Sequence, residues 1–385
     1  KKEFEFILIF VDMTSFLWPS SPLITIGILV SLYCIPANYL GLLSKFYILT
    51  YLLFMLIGYL FASKRQRNSL PLVANRSSYA LVTGASSGIG EQICRQLVRQ
   101  NFNLIMVARS ETKLNNLADQ LRSSNENIRV HVIVQDLTQT NAIESLIQRI
   151  DSLKDIHLDI IINNAGIGYT KAFLETEIHD QIFDQMIALH IRVPTYLMRY
   201  YAPKMLDRPS RIVNISSEIS YISSPRAAVY ASTKAYLTQL TSALAYEFDQ
   251  INDGNSKISL LLATPGPTLN TQFDHHDQSI VFRLPFVTLT AEQVAKQIVE
   301  ACLRGDRFCT PGWFNQLTIW LMTKTPYSFS NVVCWLLWAS WSEVKQWLYG
   351  RRHLIIICFN LAFILFVLLC FLLTKMIRQI YYRFF

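Results

Sequence analysis

From Tyr79 onward, short apolar runs alternate with helix-length amphipathic segments. A chain with that rhythm buries its strands most simply in a parallel sheet covered by helices. "YALVTG" reads as a strand, residues 90–100 as a helix, "NLIMVAR" as a strand and residues 111–123 as a second helix. "VHVIVQD", "LDIIINNAG", "SRIVNISS" and "KISLLLATPG" continue the strands, with helices between them. The expected fold is therefore α/β, a doubly wound parallel sheet in three α/β/α layers. No internal repeat or low-complexity linker interrupts it.

The middle of the chain reads as soluble and its ends do not. Of 385 residues 51% are hydrophobic and only 16% charged, more apolar material than a single soluble core requires. Residues 23–43 form an uncharged 21-residue run, residues 46–62 a 17-residue one, and residues 354–374 a third, interrupted by Asn360. A bilayer core of roughly 30 Å takes about 20 such residues. Residues 1–67 are accordingly expected to be an anchor region of one or two spans, and residues 354–374 a C-terminal transmembrane helix. A buried or interfacial helix is the other reading of each. Lys1 and Lys2 before an apolar region also suit a signal peptide, but the region is long and lacks a small-residue cleavage site. "KRQR" at residues 64–67 places the following domain on the cytosolic face by the positive-inside rule. Basic residues flank both ends of residues 354–374 and leave that orientation open.

The formal charge is +8, from 35 Lys and Arg against 27 Asp and Glu. Much of the excess lies beside the apolar runs, which suits anionic headgroups or a phosphorylated cofactor. Nucleic acid is not an expected partner, because no basic stripe with interleaved aromatics is present. The seven cysteines show no C-x-x-C pair, so neither a disulfide framework nor structural zinc is expected. His275 and His276 beside Asp274 and Asp277 are adjacent residues that rarely face one ion; a solvated loop is the simpler reading, and no metal site is expected.

"TGASSGIG", residues 83–90, follows the first strand and opens the first helix. A helix N-terminus offers unpaired N–H groups and a positive dipole end, and Gly84, Gly88 and Gly90 would let a pyrophosphate approach the backbone. Thr83, Ser86, Ser87 and Ile89 complete that turn. Farther on, "YASTK" sets Tyr230 and Lys234 four residues apart, on one face if the segment is helical. A cation beside a phenol favours phenolate and brings its pKa down from about 10 toward acid–base work. The bland reading is an ordinary i, i+4 surface pair.

Thirteen residues separate Ser217 from Tyr230, and four separate Tyr230 from Lys234. Together with the glycine turn and "NNAG" at residues 163–166, these resemble the short-chain dehydrogenase/reductase family over roughly residues 79–312. The chain is most similar to NADP-preferring, membrane-associated members that reduce lipid-like carbonyls. The resemblance implies a Rossmann-type domain over residues 78–312, in which Tyr230 exchanges a proton with the substrate oxygen. It also implies that Ser217, rather than Ser216, hydrogen-bonds that oxygen, and that Lys234 holds the nicotinamide ribose. His190 stands where the family often has an asparagine; it is either an altered proton relay or a packed core histidine.

"VARSETKL" supplies Arg109 and Ser110 where an acidic residue would select NAD(H), which favours NADP(H). By resemblance, Asp136 and Leu137 meet the adenine, and Asn164, Ala165 and Gly166 line the adenine and ribose side or brace the sheet. Pro265, Gly266 and Thr268 would meet the nicotinamide carboxamide, with Thr271 a rival for Thr268. Homodimerisation through two helical regions, residues 188–205 and 231–249, and an endoplasmic-reticulum membrane with the catalytic domain facing the cytosol, are implied in the same way.

Residues 272–290 occupy the place of a mobile substrate lid, and their phenylalanines suit an apolar ligand. Residues 313–349 carry tryptophans at helical spacing and are expected to be an amphipathic membrane-interface segment. The function expected is a membrane-bound NADP(H)-dependent oxidoreductase interconverting carbonyl and alcohol on a hydrophobic substrate. The contrasting reading, a dinucleotide sensor or scaffold without turnover, draws on His190 and is opposed by the intact Ser217, Tyr230 and Lys234.

Overall fold

The computed structural model of the chain describes residues 72–174, 180–251, 257–271, 288–324 and 331–334. The expected spans at residues 23–43, 46–62 and 354–374 and most of the expected lid lie outside the described residues. Among the described residues no helix is long and apolar enough to cross a membrane.

The elements alternate as expected. The strands are β1 (Ser78–Thr83), β2 (Asn103–Ala108), β3 (Val130–Val134), β4 (His157–Asn163), β5 (Ser210–Ile215) and β6 (Ile258–Ala263). The short pieces β7 (Thr268–Leu269), β8 (Leu289–Thr290) and β9 (Phe308–Cys309) follow. The helices are α1 (Gly88–Arg99), α2 (Glu111–Ser124), α3 (Ala142–Asp151), α4 (Asp180–Ile187), α5 (Val193–Tyr201), α6 (Ala228–Gln250), α7 (Ala291–Arg304) and α8 (Trp313–Lys324). α1 begins two residues before the sequence suggested: Ser87 is the extended N-cap, and Gly88, at a φ of 57°, and Ile89 open the helix after it.

One seven-stranded sheet runs in the order β3-β2-β1-β4-β5-β6-β9, with every pairing parallel. β1, β2 and β5 are buried at every residue, so their apolar side chains do not alternate with exposed polar ones, and the polar residues of β5, Ser210, Arg211 and Asn214, are buried with hydrogen-bond partners. The two faces hold separate cores. One gathers Ile93 and Leu97 of α1, Leu114 and Leu121 of α2 and Val294 and Ile298 of α7 against Ala80, Val82 and Met106. The other packs Leu146 of α3, Leu197 and Met198 of α5 and Leu240 of α6 against Leu81, Ile105, Ile161 and Ile212. The sheet with helices on both faces is thus the expected three-layer, Rossmann-like arrangement.

Local chemistry fixes the helix ends. α7 starts with a capping box, Thr290 accepting from the Gln293 N–H while the Gln293 side chain accepts from the Thr290 N–H. It stops at Gly305, whose φ of 80° needs glycine. Between α4 and α5 a π-helical turn, Ala188–Arg192, widens the helix without ending it, and the Val193 N–H reaches back five residues to the Ala188 carbonyl. Pro194 has no N–H to give the His190 carbonyl four residues back, which disfavours the α-helical pattern at that point.

The strand order reverses between β1 and β4, the first connection running to one side of β1 and the later ones to the other. In an open parallel sheet, ligands bind in the crevice at the carboxyl ends of the strands at such a reversal. Gly84 and Asn164, directly after β1 and β4, meet there.

Candidate active site

The crevice is built by a brace between the two strand ends. Thr83 Oγ1 donates to the Ile162 carbonyl at 3.1 Å and accepts from the Asn164 and Ala165 N–H groups at 3.0 and 3.1 Å. Asn164 Nδ2 in turn donates to the Thr83 and Gly84 carbonyls at 3.0 and 3.2 Å. Gly90 sits against this brace: a Cβ there would stand 2.2 Å from the Gly84 oxygen and 2.4 Å from Asn164 Nδ2. Gly84 and Gly88 take φ values of 66° and 57°. The turn therefore places backbone, with no side chain in the way, at the N-terminus of α1, a cradle suited to a pyrophosphate.

The sequence-named residues around the cradle occupy three positions. Ser86, Ser87 and Ile89 are partly buried along the turn, and Arg109 and Ser110 follow β2, with Arg109 exposed. Asp136 follows β3 and accepts from the Thr138 N–H and hydroxyl at 2.9 and 2.8 Å. Burial alone would raise its carboxyl, but these hydrogen bonds and Arg109 bring it below the ordinary carboxylate value. Leu137 beside it is buried. Asn163 braces the sheet, donating to Asn214 Oδ1 at 2.7 Å, while Asn214 donates to Thr241 at 2.8 Å.

Thr268 and Thr271 divide at the far end of the crevice. Thr268 is buried with its hydroxyl donating to the Gly266 carbonyl at 2.9 Å. Thr271 instead lies over Gly88, with its Cγ2 3.4 Å from where a Cβ would be. The extra residue in "TLNT", with Asn270 at a φ of 62°, carries Thr271 over the glycine turn.

α6 presents Tyr230 and Lys234 one turn apart. The two adjacent serines separate cleanly. Ser216 is buried, donating to the Lys234 carbonyl at 2.9 Å and lying 2.7 Å from the Thr238 hydroxyl, whereas the Ser217 hydroxyl donates to the Pro265 carbonyl at 3.5 Å and is hydrogen-bonded with Tyr230. Lys234 is buried, and its Nζ donates to the Ile215 carbonyl at 2.9 Å. Burial pushes its ammonium down to about 7, so the lysine is part-charged at neutral pH. The expected lowering of the Tyr230 phenol by Lys234 is not what the fold produces: burial pushes the phenol up to about 12, with Glu218 adding to the rise and Ser217 opposing it, so the phenol is protonated.

His190 joins the "NNAG" loop to α6. Its ring is buried, and Nε2 accepts from the Ile167 N–H at 3.2 Å, so the ring hydrogen is on Nδ1. Nδ1 donates to the Thr233 hydroxyl at 2.9 Å, and Thr233 donates to the Tyr230 carbonyl at 2.8 Å. The ring also meets Tyr230 edge-on at 5.6 Å between centroids. Gly166 makes room for it, since a Cβ there would come 2.7 Å from Nε2. Burial first, and the Lys234 charge second, hold the imidazole well below its ordinary pKa. The ring is thus packed and neutral, with both nitrogens engaged.

Beside the start of α6, a shallow hollow is lined by Tyr169, Lys171, Phe173, Phe183, Arg226 and Val229, with Phe173 and Phe183 stacked at 5.9 Å. Sequence reasoning missed this hollow, the Thr233 link and Glu218, none of which belongs to a spaced motif. Among the described residues no group of His, Cys, Asp and Glu could hold a metal ion.

A parallel sheet with a glycine cradle at its switch point and a Ser217–Tyr230–Lys234 cluster defines a dinucleotide-dependent oxidoreductase architecture. A profile of the short chain dehydrogenase family matches residues 78–279, and the chain belongs to that family, whose oxidoreductases act on CH–OH groups. A very-long-chain 3-oxoacyl-CoA reductase-like protein of Arabidopsis thaliana is 29% identical over 253 residues, 65% of this chain and 77% of that one. A very-long-chain 3-oxoacyl-CoA reductase of Coccidioides immitis is 31% identical over 185 residues, 48% of this chain and 53% of that one. The bulky-bulky ketone specific alcohol dehydrogenase of Comamonas testosteroni superposes with a TM-score of 0.52 at 26% identity, covering 66% of this chain and 96% of that one.

The His190 contacts carry a pH signature. The fold holds the ring neutral, whereas the unfolded chain protonates it below about pH 6.5. Stability should therefore fall as pH drops through that range, by about 1.4 kcal/mol from this group at pH 5.5. Chemical unfolding of His190→Asn at pH 7.5 and 5.5 should show a smaller drop than the wild type.

Proposed function

We propose that the chain is a membrane-bound NADP(H)-dependent oxidoreductase that interconverts a carbonyl and an alcohol on a hydrophobic substrate. The observation that carries the chemistry is the Tyr230 phenol hydrogen-bonded with Ser217 one helical turn from buried Lys234, and burial favours the protonated form of that phenol. A loaded phenol is the acid that carbonyl reduction requires. In that direction the Tyr230 proton passes to the substrate oxygen while the Ser217 hydroxyl donates to the same oxygen and stabilises the charge gathering on it. In the oxidative direction Tyr230 takes the proton back. A bound nicotinamide dinucleotide would supply or accept the hydride at the substrate carbon.

The glycine cradle of Gly84, Gly88 and Gly90, with Thr271 over Gly88, fits the pyrophosphate of such a dinucleotide. Lys234 and Tyr230 would hold the nicotinamide ribose, Pro265, Gly266 and Thr268 the carboxamide side, and Asp136 and Leu137 the adenine. Arg109 and Ser110, at the end of β2 where an acid would repel a 2′-phosphate, favour NADP(H). The stacked Phe173 and Phe183 offer apolar surface beside α6. A long-chain or other bulky carbonyl agrees with the names of the relatives.

The membrane part of the reading rests on the apolar runs of the sequence and on α8. Trp313, Leu317 and Trp320 lie on one face of that helix and are 70%, 42% and 59% exposed. Tryptophan favours the headgroup zone, and a helix with such a face lies well in an interface. The endoplasmic reticulum, with the catalytic domain on the cytosolic side, suits the basic "KRQR" that precedes it. Tyr196 and Tyr200 of α5 and Tyr236 and Tyr246 of α6 are exposed, aromatic surface of the kind a homodimer would cover. A sensor without turnover would leave the Ser217–Tyr230 hydrogen bond without a use.

Tyr230→Phe should lower turnover of a lipid carbonyl about 10²- to 10⁴-fold, the worth of a positioned acid, while dinucleotide binding persists. Loss of neither would remove the reading. Arg109→Glu should shift the NADPH/NADH affinity ratio about tenfold toward NADH, a contact of about 1.5 kcal/mol, as read by fluorescence titration of each. In liposomes, Trp313→Ala combined with Trp320→Ala should raise KM for long-chain carbonyls and leave short-chain ones unchanged.

A further inference from the structure

Glu218 directly follows Ser217, and the chemistry above makes no use of it. Its backbone N–H donates to the Pro265 carbonyl at 3.1 Å, fastening the short 3₁₀ turn Glu218–Tyr221 to residues 265–268. Its Oε2 is buried without a hydrogen-bond partner, and so is Oδ1 of Asn315 on α8. Both side chains converge on Gly266. A Cβ there would stand 2.9 Å from Glu218 Oε2, 2.6 Å from Asn315 Nδ2 and 2.7 Å from Asn315 Cγ. Asn315 Nδ2 already donates to the Pro311 carbonyl at 3.0 Å, which fixes the amide orientation and leaves its oxygen an acceptor.

Two buried acceptors over one glycine are costly, and one hydrogen between them satisfies both. The group that can carry it is the carboxyl. Burial pushes Glu218 up to about 7. Among the described residues, the ionisable groups facing it are the Tyr230 phenol from α6 and the Cys334 thiol from residues 331–334. Burial pushes these to about 12 and about 11, so both are neutral where Glu218 titrates. Tyr221, on the same turn, is likewise raised by burial; residues 265–268 contain no ionisable side chain, and α8 has none before its last residue, Lys324.

We propose that Glu218 is a positioning residue for the dinucleotide: its carboxylic acid donates to the Asn315 amide oxygen across Gly266 and clasps α8 to residues 265–268. This rests on the reading that residues 265–268 meet the nicotinamide carboxamide. The fold binds the Glu218 proton more tightly than the unfolded chain does. The clasp is therefore formed below about pH 7 and lost as pH rises through that value, when an unpaired buried charge replaces it; the stability it adds is full only below the ordinary carboxylate range.

The test is NADPH binding to the full chain in nanodiscs between pH 6 and pH 8, comparing wild type with Glu218→Gln. The glutamine amide donates to Asn315 at every pH. Lys234 titrates in both proteins and cancels in their ratio. The wild-type Kd divided by the Glu218→Gln Kd should be near one at pH 6 and about ten at pH 8. In an Asn315→Leu background that rise should vanish. A ratio constant with pH overturns the proposal. Infrared spectroscopy of the dinucleotide-free protein supplies the second readout, a carboxylic-acid band at pH 6 that Glu218→Gln removes. Its absence also overturns the clasp. If the band is present but neither NADPH nor NADH binds at any pH, the oxidoreductase reading falls and takes the positioning role with it; if NADPH binds with a constant ratio, only the role of Glu218 falls.

Discussion

The brace that Thr83 and Asn164 make across the switch point is the constraint on which the site depends. Where β1 and β4 end, their ladder ends too, and buried peptide groups there must find other partners. Thr83 Oγ1 and Asn164 Nδ2 provide them, and the second can reach the Gly84 carbonyl only because Gly90 has no Cβ. The same contacts fix the glycine turn and the "NNAG" loop against each other. From that loop the Ile167 N–H continues to His190, then Thr233, then the Tyr230 carbonyl. One hydrogen-bonded path therefore runs from the cradle for a pyrophosphate to the backbone of the residue that bears the phenol.

His190 shows how a residue change can preserve such a path. A neutral imidazole with a defined tautomer offers one acceptor and one donor, enough to hold a loop N–H on one side and a hydroxyl on the other. The π-helical turn puts the ring in reach of both, and Pro194, four residues on, disfavours the α-helical alternative. Protonation would put a second hydrogen on Nε2, opposite the Ile167 N–H, and break the path. Burial and the neighbouring Lys234 both oppose that protonation.

What the sequence makes legible here follows from what has a period. The six long strands and most helices are readable because each buries a run or a stripe of apolar side chains. The glycine turn is readable because close backbone approach needs glycine at fixed offsets. Two-residue β9 has no period to detect, and its place beside β6 depends on how α7 returns the chain. The division between Ser216 and Ser217 followed from spacing, and the contacts place one in the core and the other on the phenol. Thr268 and Thr271 resisted such counting, because a residue at positive φ between them decides which reaches Gly88. Glu218 lies in an irregular loop, and only its burial distinguishes it from a solvated acid.

Charge around the site follows the same logic of burial. Around Tyr230, burial brings Lys234 and Glu218 to about 7, holds His190 neutral and keeps the phenol protonated, whereas hydrogen bonds and Arg109 keep Asp136 ionised at the adenine end. α8 bears on the opposite end of the crevice. Helical period places Asn315 about 200° from Trp313, and Leu317 and Trp320 return to the tryptophan side. One face of a single helix thus meets Gly266 while the other presents apolar surface outward. A displacement of the outer face would be felt at Gly266 through the buried Asn315 side chain, which meets that glycine together with the Glu218 carboxyl.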